Sequence, residues 1–242
     1  RVYGLLGFFF FISTPAVLRL SHWAYIDLGI TFYSTAGLLC LLRWAEEREA
    51  RAWLLLAGLS LGFALATKPN GLLAALLLGL LFVLVIGRGP TKPAGRLVSQ
   101  LALFAGITLL PFTPWLVKNW HQTGNPFYPS FGNFFPPRSA SVIDAASFVG
   151  FGVFEKRHLL YGENMWQILG LPLRIFFSGQ DDNPQYFDGV LTPVLLLFLP
   201  WAFKGKWSEE KKLIALFAFG YFALALFLID MRIRYILPIV PS

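Results

Sequence analysis

Arg19, His22 and Asp27 fall within one short polar stretch, Arg19-Leu20-Ser21-His22-Trp23-Ala24-Tyr25-Ile26-Asp27, between two strongly apolar runs. A carboxylate where a chain re-enters lipid is costly unless it is paired or solvated, so such a group marks a candidate site. Asp27 can take a proton from an attacking hydroxyl or orient the group that does. The plain alternative is that it caps the following helix and favours its positive end. Two further polar clusters interrupt the apolar pattern: Lys68-Pro69-Asn70, and Asp230 with Arg232, Arg234 and Tyr235. Lysine and arginine bind phosphate, arginine in bidentate fashion. A carboxylate facing several cations at a membrane surface suits transfer chemistry on a phosphorylated lipid. Asp27 is the candidate catalytic residue; Arg19, His22, Lys68, Arg232, Arg234 and Tyr235 are candidates for binding the substrate.

Other chemistries fit less well. His22, His121 and His158 are isolated, with no HExxH and no CxxC, so no metal site is expected. No glycine-rich phosphate loop is present, and no cofactor is expected. Asp181-Asp182 and Asp188 sit in a Gly/Asn/Pro turn and read first as solvated loop acids. The run Glu46-Glu47-Arg48-Glu49 reads as a solvated connection. Cys40, the single cysteine, lies in an apolar run and supports no disulfide framework.

The elements that position these residues follow from hydropathy. The chain has 242 residues, 56% hydrophobic and 14% charged, with mean hydropathy +0.62. Soluble domains carry about 25% charged residues, so this is an integral membrane protein. The net charge of +7 comes mostly from short loops. It fits membrane orientation and contact with membrane lipids, and no nucleic acid partner is expected. Apolar segments run over about 2–18, 28–42, 52–66, 72–86, 97–112, 190–203 and 213–229, and an eighth begins near Tyr235. The fold class is therefore all-α: a polytopic transmembrane bundle of about seven to eight helices, forming one membrane domain over 1–242.

The connections at 43–51, 88–96 and 204–212 are short and rich in lysine and arginine, which makes them cytoplasmic. Parity then puts the Arg19–Asp27 stretch, Lys68, the long loop 113–189 and the 230–234 turn on the outer side. No nucleotide-sugar pool is expected there, so a sugar donor would be carried by lipid. The outer loop is rich in Phe, Trp and Pro, and residues 165–177 (MWQILGLPLRIFF) are expected to lie along the interface as a short helix.

The ordered set YIDLGITFYSTAGLL, ALATKPNGLLAALLL, PWLVKNWHQTGNPFYPSF and RIRYILPIVP resembles the GT-C superfamily of polytopic glycosyltransferases. Within that superfamily the chain is similar to bacterial members akin to protein O-mannosyltransferases and the lipid A aminoarabinose transferase. The resemblance covers nearly the whole chain, as a middle section of such a protein. It implies inverting transfer from a polyprenyl-phosphate-linked sugar to a lipid, glycan or protein acceptor, on the outer face of the bacterial inner membrane. Asp27 falls where such enzymes carry an acid opening a helix on the catalytic face. Arg232, Arg234 and Tyr235 fall at an element near the carrier phosphate, and Lys68 matches a lysine in a short outer turn. The family's main acid lies in the first outer loop, and this chain is expected to start beyond it. Asp27 is then a supporting acid, and the isolated piece is expected to have little activity. The fixed cations neutralise the leaving phosphate in this scheme, so no divalent metal is required by it. The competing expectations are a flippase for lipid-linked saccharides, which would need polar residues near the midplane, and a non-catalytic assembly protein.

Overall fold

A computed structural model describes residues 2–88, 94–128, 131–132, 134–135, 152–228 and 231–241. Their regular structure is helical, apart from one isolated antiparallel bridge between Gln180 and Gly189. Helix α1 (Val2–Ile12) and helix α2 (Pro15–His22) come from the first apolar run. They meet at a 66° bend. Thr14 Oγ1 donates to Phe10 O at 3.0 Å, and Pro15, which has no N–H to give, opens α2.

Helices α3 (Asp27–Glu46), α4 (Arg51–Thr67) and α5 (Gly71–Gly87) form the central bundle. Leu38, Leu41, Trp44, Leu61, Leu78 and Phe82 are buried among them. Helix α6 (Ala94–Thr123) lies against α4. A Cβ on Gly62 would sit 2.4 Å from Thr108 O of α6, so only glycine permits this approach. The Phe82 and Phe104 rings stack across the α5–α6 contact at 4.2 Å.

Helix α6 continues through Pro111 and Pro114 to Thr123, so the long loop starts after Thr123 and not at its expected beginning, 113. Proline inside a membrane helix removes one donor and is tolerated when neighbouring groups re-satisfy the backbone. Thr113 Oγ1, between the two prolines in sequence, donates to Leu109 O at 2.8 Å. The single helix expected over 165–177 is two: α8 (Met165–Leu169) and α9 (Leu171–Phe177). Gly170 ends the first, and Pro172 fits only the first turn of the second. They follow α7 (Val153–Tyr161). Beyond them lie a 3-10 turn (Pro184–Tyr186), α10 (Val194–Phe203), α11 (Glu209–Leu228) and the short α12 (Ile233–Ile236).

By length and composition, fewer helices reach across a membrane than the seven to eight expected. Among the described residues two qualify, Asp27–Glu46 and Leu97–Thr123, with the bent α1–α2 pair a third if it is one span. Helices α4 and α5 have 17 residues each, about 26 Å of rise against a hydrocarbon core of roughly 30 Å.

The bundle has two chemically distinct ends. At one, Arg88 pairs with Glu209 at 3.0 Å, and Arg48 donates to Val85 O at 2.5 Å. These contacts gather the three lysine- and arginine-rich connections together. Asp27, Lys68 and the 232–235 segment lie at the opposite end.

Candidate functional site

Asp27 is the first residue of α3; Ile26 is the N-cap, and no side chain caps the helix. Asp27 is 2% exposed. Its Oδ1 accepts from Lys68 Nζ at 2.9 Å, while its buried Oδ2 has no partner among the described residues. Asp27 is thus held as an ion pair rather than as a helix cap. The α4–α5 turn that carries Lys68 is built around Gly71, whose N–H donates to Lys68 O at 2.8 Å. A Cβ on Gly71 would come within 2.1 Å of Ala64 O.

Lys68 Nζ also sits 4.7 Å from the Tyr235 ring centroid. Arg234 lies over the same ring at 5.2 Å and over Tyr25 at 4.7 Å. Asp188 then joins three arginines: Arg232 at 3.4 Å, Arg234 at 3.5 Å and Arg19 at 3.7 Å. Arg19 in addition binds Asp181 at 2.7 Å and Asp182 at 2.5 Å, and covers the Trp23 ring at 4.5 Å. Trp23 and Tyr25 stack on each other at 5.8 Å. Asp27, Lys68, Tyr235, Arg234, Arg232 and Arg19 therefore form one continuous cluster drawn from four parts of the chain.

His22 stands apart. It is exposed, and its Nδ1 lies 2.8 Å from Leu18 O and 3.1 Å from Ser21 Oγ. Asp230 lies outside the described residues.

Sequence reasoning passed over the loop acids. Asp188 is half-buried and ringed by arginines rather than solvated. Its N–H donates to Asn183 O at 2.9 Å, and Phe187 O accepts from Ile233 N at 2.8 Å, which ties the loop to α12. Asp182, Phe187 and Asp188 all take positive φ, a conformation aspartate adopts more readily than phenylalanine. Phe187 pays this strain because its ring is fully buried, beneath Arg157 at 5.1 Å and Arg174 at 5.7 Å. Those two guanidiniums grip Glu163 at 2.6 and 3.0 Å. Burial alone would raise the Glu163 carboxyl, but hydrogen bonds and charge from Arg157 and Arg174 hold it below the ordinary carboxylate value. Arg157 also donates to Gln185 O at 2.6 Å, so this clip fixes the loop that carries Asp188.

An apolar cavity of about 650 Å³ opens beside the cluster. Leu72, Leu109, Trp115, Phe127 and Phe131 form part of its wall, and Lys68 lines it as well. Asn119 Nδ2 folds the aromatic segment back on α6 by donating to Pro126 O at 3.3 Å and Tyr128 O at 3.4 Å.

Spanning-length apolar helices, with ionised groups gathered at one end, define an integral membrane protein. The sequence model of the dolichyl-phosphate-mannose-protein mannosyltransferase family matches residues 1–129, more than half of the chain, and the chain belongs to that family. The family implies glycosyltransferase activity with polyprenyl-phosphate sugar donors. No curated protein and no solved structure matches the chain. The matched stretch holds Arg19, Asp27 and Lys68; Asp188, Arg232, Arg234 and Tyr235 lie beyond it and reach the same place only through the fold.

Proposed function

We propose that the cluster receives the phosphate of a polyprenyl-phosphate sugar and that the neighbouring cavity receives its chain. The observation that carries this reading is the position of Lys68, which lines the apolar cavity and belongs to the charged cluster. An amphiphilic anion needs both surroundings within the reach of one molecule.

The acceptor hydroxyl, from a protein, lipid or glycan, attacks the anomeric carbon. The new C–O bond forms as the bond to the phosphate oxygen breaks, and the hydroxyl proton passes to a carboxylate base. Configuration inverts in this single displacement. Arg19, Arg232, Arg234, Tyr235 and Lys68 take up the charge that develops on the leaving polyprenyl phosphate. Asp27 is a supporting acid that holds Lys68 in place. The cluster faces outward from a bacterial cytoplasmic membrane, because the lysine- and arginine-rich connections gather at the other end.

The test is a transfer assay on the purified full-length protein that carries this chain, using lipid-extracted polyprenyl-phosphate sugars and an extract of acceptors. Loss of one preorganised charge contact is worth roughly 2–4 kcal/mol in the transition state. Arg234→Gln is therefore expected to lower turnover about a hundredfold or more. Unchanged turnover in that variant would reject the site.

A further inference from the structure

Both terminal nitrogens of Arg19 are occupied by carboxylates from a loop 162 residues away: Nη1 by Asp181 at 2.7 Å and Nη2 by Asp182 at 2.5 Å. A phosphate engages a guanidinium in the same way, with two oxygens on two adjacent nitrogens. The three loop acids are not equivalent. Asp188 has a side chain 11% exposed and a backbone stitched to Asn183. The side chains of Asp181 and Asp182 are 54% and 69% exposed, and Arg19 is the partner of each. The Arg19 side chain is 14% exposed, but both carboxylates stand largely in solvent, where an ion pair contributes little.

The backbone permits that exchange. Gln180 closes the stem of the loop against two residues: its O accepts from Gly189 N at 2.9 Å, and its N–H donates to Tyr186 O at 3.0 Å. Asp181 and Asp182 sit at the tip beyond this closure, so they can swing from Arg19 while Asp188 stays. Trp23, 4.5 Å beneath the Arg19 guanidinium, keeps the cation in place when the carboxylates leave.

We infer that Asp181 and Asp182 form an exchangeable anionic latch on Arg19, displaced from its two nitrogens by two non-bridging oxygens of a phosphate ester, the diester donor on entry and its monoester product after transfer. The inference rests on the phosphate-site reading of the cluster. The latch keeps the guanidinium neutralised when no ligand is bound. It also competes with the phosphate that remains after transfer, which speeds its release.

Binding of farnesyl phosphate to the full chain in detergent micelles tests this, with inorganic phosphate and farnesol as the two other arms. In the Asp181→Asn/Asp182→Asn variant farnesyl phosphate is expected to bind about five- to tenfold more tightly than in the unaltered chain. In an Arg19→Gln background the same two changes are expected to give no tightening. Inorganic phosphate shows the same pattern if the anion alone drives displacement; a pattern confined to farnesyl phosphate means that the lipid chain must seat first. Equal or weaker binding in the double variant, or tightening that persists without Arg19, overturns the latch while leaving the phosphate site intact. Farnesyl phosphate binding no better than farnesol to the folded chain overturns the phosphate-site reading, and the latch with it.

Discussion

Lys68 Nζ and Asp27 Oδ1 lie 2.9 Å apart, and the two partners differ sharply in exposure: the Lys68 side chain is 23% exposed and that of Asp27 2%. Each charge holds the other at the foot of the α3–α4 pair, but only the lysine has access to solvent and to the cavity. That asymmetry decides what each can do. In the proposed site Asp27 is the anchor and Lys68 the group that meets the ligand.

The same asymmetry orders the stability of variants. Removing the lysine leaves a carboxylate buried without a counter-charge, which is the costlier defect. Lys68→Met is therefore expected to lower the melting temperature more than Asp27→Asn, which strands a partly solvated ammonium. The double variant is expected to recover most of the loss. Thermal melts of the four forms in one detergent give the coupling directly. A double variant as unstable as the sum of the singles would show that the pair is not coupled.

Gly71 sets the height of the lysine. A Cβ there would lie 2.1 Å from Ala64 O, whereas one on Gly79 of the same helix meets nothing within 4 Å. Gly71→Ala is expected to destabilise the chain by about 2 kcal/mol or more. Gly79→Ala is expected to be neutral or slightly stabilising, since alanine is the better helix former. Parallel melts of these two variants read the close approach without any assay of function.

His22 and Arg234 were equal candidates by residue type, and the fold separates them. His22 turns its ring to Leu18 O on its own helix, while Arg234 lies between two tyrosine rings and Asp188. His22→Gln is expected to change transfer less than twofold, against a loss of roughly a hundredfold for Arg234→Gln. Initial rates at saturating acceptor make the comparison. A large loss in the histidine variant would place its ring in the reaction.

Glu163 gives the chain a defined acid sensitivity. Its folded carboxyl titrates below the ordinary value of 4.5, so the folded state binds fewer protons than the unfolded one as pH falls. The stabilisation is fully present above the ordinary value and is lost as pH drops through the depressed one. Melting temperature followed from about pH 6 to about pH 3 is expected to fall more steeply in the unaltered chain than in Glu163→Gln, which has already lost the interaction. Parallel curves would remove Glu163 from the acid response.

Much of the fold could be read from the sequence alone because its signals are local. Apolar runs and the polar Lys68-Pro69-Asn70 stretch each act on their own few residues. The end of α6 departs from the sequence expectation for an equally local reason: Pro111 and Pro114 normally end a helix, but this one runs through both. The grouping of ionised residues at one end also followed from sequence, since alternating hydropathy and loop charge order the chain across a bilayer.

The partners of those residues could not be read that way. Asp188 reaches Arg232 across 44 residues, and Asp181 reaches Arg19 across 162. No spacing rule spans such distances. Hydropathy determined which end of the bundle each charge occupies, but only the tertiary structure decided which carboxylate neutralises which guanidinium. Ion pairing depends on distances of a few ångströms, and these are set by loop closure, the burial of Phe187 and the Arg157–Glu163 clip.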